Sequence, residues 1–310
     1  MPALRTTVDR EGVRVATSRM MATNVTVLSA GGESLLVDAP YFPDELAELA
    51  GWVGAGDVRL FATHSHFDHL LARYAFPAAT LVIGRATAEA LADDPARPAS
   101  DLLAEDSRTY VRRERPLLFG ALQGVPVPGW LEVGPHDAEL VPAPGHTADG
   151  TALWAPWAGV LCCGDYLSDV EIPLLSAAGS LEDYRATLER LVPYVEQATL
   201  LVPGHGTPCD ARQARRRLEA DLRYLETLVA ADPDQALPAG RDTPRQREIH
   251  RANLERHGPA AEPPDAGEAG AAPAREAPAR EAAADPPATA PEDDSPGVRA
   301  VERSTRRRRR

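Results

Sequence analysis

Histidine and aspartate residues that could do chemistry are concentrated in one segment of six residues, which contains His64, His66, Asp68 and His69. Burying so many polar groups together costs free energy unless they have partners, so the segment is not typical of core histidines. Imidazole and carboxylate groups are the usual ligands of Zn²⁺ in proteins. Because side chains two positions apart on a strand point the same way, His64 and His66 are predicted to face one site, with Asp68 and His69 following in the turn.

Each of three later segments places one histidine or aspartate after a tight turn that contains glycine. Each segment follows a short apolar run that we predict to be a strand. A single Gly-His turn is more often structural, but three such turns downstream of the histidine-rich segment favour one shared site. The three segments are Pro144-Gly145-His146-Thr147, Gly164-Asp165 and Pro203-Gly204-His205-Gly206.

The elements that must position these residues alternate between short strands and helices. Residues 24–29 and 34–38 flank Gly31-Gly32 and are predicted to form a hairpin. The stretch 93–130 is less regular, and an insertion of that length between two halves of a site commonly shapes a substrate pocket. The other predicted strands span 58–63, 80–83, 139–142, 151–154, 160–163 and 199–202, and the predicted helices span 43–53, 181–192, 211–229 and 243–256.

A change in composition near Gly258 predicts the end of the folded domain. Residues 259–310 are dominated by Ala, Pro, Glu, Asp and Arg, with almost no large apolar side chains. Such a segment cannot bury enough surface to offset the entropy of ordering it, so we predict a disordered tail. The tail ends in five arginines, Arg306 to Arg310, which we interpret as a solvated end rather than an anion contact.

Charge and cysteine content limit the partners and the compartment. The net charge is −13, from 46 acidic and 33 basic residues, and this balance predicts no nucleic-acid partner. Cys162, Cys163 and Cys209 are odd in number and are predicted to be buried, reduced thiols. Residues 1–19 lack the apolar run of a signal peptide, and no apolar stretch approaches the ~20 residues of a membrane span. We therefore expect a cytoplasmic protein without membrane contact.

The ordered motifs resemble the ligand-bearing motifs of the metallo-β-lactamase superfamily. The His-x-His-x-Asp-His box is preceded by the usual threonine, Thr63, and Leu36-Val37-Asp38 resembles the family's N-terminal motif. The similarity covers about residues 24–206. It implies an α/β fold, a four-layer αββα sandwich of two mixed β-sheets flanked by helices, in a hydrolase domain at residues 1–258. Its metal motifs would lie at 63–206 and its closing helices at 211–256.

The resemblance also implies a role for each motif residue and two zinc ions per chain, with iron or manganese as alternatives. Two zinc ions would share a water and lower its pKa, giving a bridging hydroxide that Asp68 and Asp165 orient as catalytic residues. His136, His250 and His257 lie outside the motifs and are expected at the surface. In the family's arrangement His64, His66 and His146 form the first metal site, Asp68, His69 and His205 form the second, and Asp165 bridges both.

Departures from the family's branches narrow the substrate to a small ester, thioester or lactone. Antibiotic-degrading members of the common subclass carry a cysteine at the position of Asp165 and are exported, so a secreted β-lactamase is disfavoured. Asp165 is instead similar to the bridging residue of glyoxalase II, the lactonases and the phosphodiesterases. Leu70-Leu71-Ala72 replaces the glycines usual in glyoxalase II. Lactonases carry a tyrosine a few residues after the bridging aspartate, whereas Tyr166 follows Asp165 directly. Two roles for Tyr166 therefore remain open: packing, or a hydrogen bond near the leaving group.

Three other functions stay as alternatives. A persulfide dioxygenase, an oxidoreductase, uses one iron held by two histidines and one aspartate, and does not need Asp68, His69 and His205. The RNA-processing phosphodiesterase branch would want a basic arm, which the acidic balance argues against. A non-catalytic binding protein with this fold would be expected to have lost ligands, whereas this chain retains them all.

Overall fold

Two mixed β-sheets form the centre of the computed structural model, which describes residues 3–53, 56–230 and 235–257. The first sheet has seven strands in the order β1 to β7, antiparallel from β1 to β4 and parallel from β4 to β7. These strands are β1 (Arg5–Arg10), β2 (Val13–Thr17), β3 (Asn24–Ala30), β4 (Glu33–Asp38), β5 (Asp57–Ala62), β6 (Thr80–Gly84) and β7 (Leu122–Val125).

The second sheet has five strands in the order β12-β11-β10-β9-β8. Only β11 and β12 run parallel, and the remaining neighbours are antiparallel. The strands are β8 (Gly129–Val133), β9 (His136–Pro142), β10 (Thr151–Ala155), β11 (Val160–Cys162) and β12 (Leu200–Val202).

Helices cover the outer face of each sheet. On the first sheet lie α1 (Pro43–Ala50), α2 (Ala72–Ala75), α3 (Arg85–Asp93) and α4 (Arg97–Thr109), with a 3₁₀ turn at Phe67–His69. On the second lie α5 (Leu181–Gln197), α6 (Ala211–Leu228) and α7 (Pro244–His257). No helix among the described residues combines the length and the apolar character needed to cross a bilayer.

The buried apolar residues explain this layering. In β4, Leu35 and Val37 face the second sheet, whereas Leu36 packs against the helices over the first sheet. This alternation follows from the two-residue period of a strand. The core between the sheets and the two cores under the helices confirm the predicted αββα sandwich.

The predicted elements around the ligand motifs are confirmed, and the differences lie elsewhere. The hairpin β1–β2 was not predicted, because β1 is an exposed edge strand without clear alternation. The irregular stretch 93–130 contains α4, which has few buried apolar residues, and β7, which is largely exposed. Helix α5 continues to Gln197, beyond the predicted end before Pro193. The predicted boundary at 258 and the tail at 259–310 lie outside the described residues.

Candidate metal centre

All the ligand candidates predicted from the motifs meet at one edge of the two sheets. The parallel pairing of β11 with β12 brings the turns after these strands together, and the Gly204 amide donates to the Gly164 carbonyl at 2.7 Å. The Thr151 amide at the start of β10 donates to the Thr63 carbonyl at 2.8 Å. These bonds join the histidine-rich segment of the first sheet to the ligand turns of the second.

One group of side chains, here called the nitrogen-rich cluster, consists of His64, His66 and His146. These three histidines and Asp165 each offer one ligand atom, and the four atoms lie within 4.8 Å of one another. His146 Nε2 is 3.1 Å from His66 Nδ1 and 3.1 Å from Asp165 Oδ2. His64 Nε2 is 3.7 Å from the same Asp165 oxygen. The cluster can therefore hold a metal ion through three imidazoles and one carboxylate.

The second group, here called the carboxylate-rich cluster, consists of Asp68, His69 and His205. Asp68 Oδ2 lies 3.2 Å from His205 Nε2 and 3.6 Å from His69 Nε2. The other oxygen of Asp165, Oδ1, lies 3.2 Å from His69 Nε2 and 3.4 Å from His205 Nε2. The two oxygens of one carboxylate thus face two different groups of ligand atoms.

Glycines make the close approach of these turns possible. A Cβ atom at Gly204 would collide with Asp165 Oδ1 and lie 2.9 Å from His69 Cε1. Gly145 has φ of +129°, and a Cβ atom there would collide with the backbone of Tyr184. Both positions therefore require glycine, one for space and one also for its backbone conformation.

Hydrogen bonds to the remote ring nitrogens orient three of the histidines. His146 Nδ1 lies 2.7 Å from the Leu174 carbonyl oxygen, and His205 Nδ1 lies 3.0 Å from the Met21 carbonyl oxygen. Since a carbonyl only accepts, Nδ1 carries a proton in both rings and Nε2 is directed into the centre, where it could bind a metal ion. His69 Nδ1 lies 3.1 Å from Asp38 Oδ2, which orients this ring in the same way.

Asp38 was part of a predicted motif but was not among the predicted site residues. Its Oδ1 accepts hydrogen bonds from the Thr63 amide at 2.9 Å and from Thr63 Oγ1 at 3.1 Å. The carboxylate therefore fixes both the start of the histidine-rich segment and the ring of His69. Asp38 itself has φ of +59° at the end of β4, a sparsely populated conformation that positions this side chain.

Burial and charge shift the pKa values of the clustered groups in opposite directions. Burial lowers the pKa of His64 well below its ordinary value and that of His66 to about 4. For His69, burial is outweighed by Asp38, Asp68 and Asp165, whose charges raise its pKa well above the ordinary value. Burial would raise the pKa of Asp165, but the histidine charges around it lower the value well below the ordinary one. The unmetallated centre thus favours ionised carboxylates.

Three buried atoms of the centre make no hydrogen bond within the described residues: His64 Nε2, His69 Nε2 and Asp165 Oδ1. A buried polar atom without a partner costs about 1–3 kcal/mol. All three atoms face other ligand atoms rather than apolar side chains. Cations between them would satisfy each one, so the donor set fits the metal ions that the motifs predict.

Tyr166 supports the turn that carries His146. Its ring is buried, and its hydroxyl accepts a hydrogen bond from the His146 amide at 3.1 Å. The same hydroxyl donates to the Pro144 carbonyl oxygen at 2.7 Å and also lies 3.1 Å from the carbonyl oxygen of Ala143. These backbone contacts support the interpretation of Tyr166 as a packing residue and not as a contact for a leaving group.

The three histidines outside the motifs occupy different environments. His136 is exposed and stacks on Trp157, as expected for a surface residue. His257 is partly exposed at the end of α7. The prediction for His250 was wrong: this residue is fully buried, and its Nδ1 lies 3.1 Å from the hydroxyl of Tyr224 on α6.

Helix α7 is tied to the centre through polar side chains. Asn253 accepts from the Leu175 amide at 3.1 Å and donates to the Pro173 carbonyl at 2.7 Å. Gln246 accepts from the Ile172 amide at 2.8 Å. The segment that they hold includes Leu174, whose carbonyl orients His146.

A cavity of about 570 Å³ opens beside the nitrogen-rich cluster, lined in part by Ser65, His66 and Thr147. The irregular stretch 93–130 contributes Asp93, Arg97 and Asp101 to its wall. Arg97 Nη2 donates to Ser65 Oγ at 2.9 Å, directly beside the ligand histidines. Part of the predicted insertion therefore does line a cleft next to the candidate centre.

Sequence reasoning also missed Glu171. One of its carboxylate oxygens lies within 4.8 Å of ligand atoms of both Asp165 and His205. The spacing of six residues after Asp165 is the only signal in the sequence, and it matches none of the motifs described above.

The comparisons with known proteins agree with this geometry. A sequence model of the metallo-beta-lactamase superfamily matches residues 19–205. A metallo-beta-lactamase from Pontibacter korlensis is 20% identical with a TM-score of 0.55, over 71% of this chain and 99% of that chain. A metallo-beta-lactamase family protein from Thermus thermophilus is 21% identical with a TM-score of 0.56, over 79% of this chain and 91% of that chain.

A sec-alkylsulfatase from Pseudomonas sp. is also similar in structure. It is 13% identical with a TM-score of 0.63, and the match covers 82% of this chain and 50% of that chain. At such identities the likeness concerns the fold. Because the family's sequence model spans more than half of the chain and includes every predicted ligand residue, the protein belongs to the metallo-β-lactamase superfamily.

Proposed function

We propose that the protein is a metal-dependent hydrolase that binds two divalent metal ions and acts on a small ester, thioester or lactone. Zinc is the ion expected from the motifs. The observation that carries the proposal is the placement of Asp165, whose Oδ2 faces the nitrogen-rich cluster and whose Oδ1 faces the carboxylate-rich cluster. One carboxylate between two groups of ligands is the arrangement that a dinuclear centre requires.

The residues present fit this centre. His64, His66 and His146 would hold the first ion, the carboxylate-rich cluster would hold the second, and Asp165 would contact both. When bound, such ions lower the pKa of water and polarise the carbonyl oxygen of a substrate. Asp68 and Asp165 would keep the two groups of ligands together and orient the attacking water by accepting its hydrogen bond.

The cleft beside His66 is where a substrate would lie. Among the described residues that line the cleft, Arg97 is the one arginine or lysine. Its guanidinium donates to the neutral Ser65 hydroxyl and forms no ion pair within 4.0 Å in the described part of the chain. The remaining guanidinium donors are free to bind one anionic group, such as a carboxylate. Glu89, Asp93 and Asp101 also line the cleft and would repel a polyanion.

The structure favours the hydrolase over the persulfide dioxygenase alternative for one reason. A mononuclear iron site would use two histidines and one aspartate and would leave the carboxylate-rich cluster without a role. Here Asp68, His69 and His205 converge, with His69 oriented by Asp38. The phosphodiesterase alternative is disfavoured by the acidic lining of the cleft and by the net charge of −13.

Metal analysis of the purified protein, combined with an activity screen, tests the proposal. We expect close to two metal ions per chain, turnover of a thioester, ester or lactone, and loss of turnover on chelation that added metal restores. The screen includes β-lactam and phosphodiester substrates. A single iron per chain with oxygen uptake in the presence of a persulfide would overturn the hydrolase assignment, as would turnover that resists complete removal of metal.

Matched substrates test the role of Arg97. Arg97→Gln should raise KM by about 10- to 100-fold for an ester that carries a carboxylate, since a charge-assisted hydrogen bond is lost. The KM of the neutral analogue should change little. Arg108→Gln, at an exposed position on the same helix α4, serves as the control. An equal change in KM for both esters would show that Arg97 does not bind the carboxylate of the substrate.

A further inference from the structure

Glu171 extends the carboxylate-rich cluster beyond the motif residues. Its carboxylate lies with Asp165 and His205 in a group whose ligand atoms are all within 4.8 Å of one another. Its backbone is held from both sides: the amide donates to Ser168 Oγ at 3.0 Å, and the carbonyl accepts from Arg241 Nη1 at 3.0 Å. These bonds fix the backbone from which the side chain reaches the centre.

The Glu171 carboxylate has no direct hydrogen-bond or ion-pair partner among the described residues, although His205 lies nearby. Within the described residues it accepts no hydrogen bond, and no arginine or histidine nitrogen lies within 4.0 Å of it. Burial raises its pKa, the charge of His205 opposes this rise, and the charges of Asp165 and Asp68 add to it. An ionised carboxylate at this place is stabilised most directly by a cation in the carboxylate-rich cluster.

The donor sets of the two clusters then differ in kind. The nitrogen-rich cluster offers three imidazoles and the shared Asp165, a set suited to tetrahedral zinc. Two overlapping groups share His205: the carboxylate-rich cluster with Asp68 and His69, and a second group with Asp165 and Glu171. Together they offer two imidazoles and three carboxylates around the second site. Several carboxylates with few nitrogens suit octahedral ions that prefer oxygen, such as Mn²⁺.

We propose that Glu171 is a ligand of the second metal and makes that site selective for Mn²⁺ beside a zinc ion in the first. The proposal rests on the dinuclear centre of the proposed function and refines the expectation of two zinc ions. The nitrogen-rich cluster takes zinc, and the carboxylate-rich cluster takes manganese even when enough zinc is supplied for both.

The test measures bound metal rather than activity. Chelator-treated protein receives two equivalents each of Zn²⁺ and Mn²⁺, so that either metal could fill both sites, and is desalted for metal analysis. Free manganese is followed separately by its electron paramagnetic resonance signal. Wild type should retain one zinc and one manganese per chain. Glu171→Gln should retain the zinc and weaken manganese binding by about tenfold or more, since one charged ligand is lost. Glu171→Asp should restore part of the affinity.

Two controls keep the outcome interpretable. Glu219→Gln removes a carboxylate at an exposed position of α6 and should bind both metals as wild type does. The melting temperature of metal-free Glu171→Gln shows whether the variant is folded, and Glu171→Asp provides a second test if it is not. Manganese binding that is unchanged in both Glu171 variants would overturn the proposal.

The wild-type protein distinguishes this proposal from the proposed function. Two zinc ions per chain with no retention of manganese would overturn the manganese site and leave the dinuclear hydrolase standing. Fewer than two metals of any kind per chain would overturn both.

Discussion

The nitrogen-rich and carboxylate-rich clusters share Asp165 but are anchored and exposed differently. The nitrogen-rich cluster lines the cleft through His66, and its His146 is oriented by the Leu174 carbonyl. In the carboxylate-rich cluster, His205 is oriented by the Met21 carbonyl and His69 by the Asp38 carboxylate. One cluster therefore faces the space for substrate, whereas the other is enclosed by elements of the first sheet.

In the proposed dinuclear centre, this difference would give the two halves separate tasks. A ligand group open to the cleft can polarise a substrate, and an enclosed group rich in carboxylates can hold its ion firmly. The enclosed half also joins the two sheets: the Asn24 amide of β3 donates to the Gly204 carbonyl at 2.8 Å, next to His205. Substitutions should therefore affect metal binding and turnover most where a residue serves both halves, less where it serves one half, and least where it only supports a ligand.

The largest effect is expected from Asp165→Ala, because this residue is common to both clusters. Metal content should fall by at least one equivalent per chain, and turnover should fall by orders of magnitude. Asp137→Ala, at an exposed position on β9, is the control. Metal analysis together with kcat measures the effect, and a variant that keeps two metals and near-normal turnover would show that Asp165 does not bridge.

His205→Ala should separate the two halves. The second metal should be lost or strongly weakened, while His64, His66 and His146 keep the first. Titration of chelator-treated protein with zinc should then show one tight site in place of two. His136→Ala, at the exposed ring stacked on Trp157, should behave as wild type. Parallel weakening of both sites by His205→Ala would mean that the clusters are not independent.

Asp38→Asn probes an anchor of the carboxylate-rich cluster without removing a ligand. The lost charge no longer orients the His69 ring, so affinity for the second metal should fall about 10- to 100-fold. The first metal should bind almost normally. Isothermal titration of each site measures the change, and an equal loss at both sites would assign Asp38 to the support of the whole histidine-rich segment.

The smallest effect is expected from Tyr166→Phe, which removes a support of the nitrogen-rich cluster. The His146 amide and the Pro144 carbonyl lose their shared hydroxyl partner, so the free energy of unfolding should fall by about 1–2 kcal/mol. Denaturant unfolding measures this cost. The carboxylate-rich cluster should bind its metal unchanged, and weakening confined to that cluster would contradict the anchoring described above.

The candidate ligands could be recognised in the sequence because each of the four segments that carry them follows an apolar strand, and the three later segments are turns that contain glycine. Strands ending at Ala62, Pro142, Cys162 and Val202 are recognisable from their apolar residues, and the polar residues after them stand out by contrast. The parallel and antiparallel pairing then brings these strand ends to one edge.

Glu171 and Arg97 could not be found in this way. The chain has 46 acidic and 33 basic residues, so a single carboxylate or guanidinium carries no signal without a motif around it. The position of Glu171 depends on the path of a loop, and that of Arg97 on a helix, α4, with few buried apolar residues. His250 was misplaced for a related reason, because the buried face of α7 is itself polar and includes Gln246 and Asn253.

The polar face of α7 couples the docking of this helix to the binding of metal at the centre. Asn253 and Gln246 hold the segment that presents both the Leu174 carbonyl and the Glu171 side chain to the centre. Docking of the helix and occupancy of the centre are therefore linked equilibria, and each must strengthen the other by the same factor. Amide protons of α7 should accordingly exchange with solvent more slowly once metal is bound. Their exchange rate would then measure metal occupancy, although α7 itself contributes no candidate metal ligand.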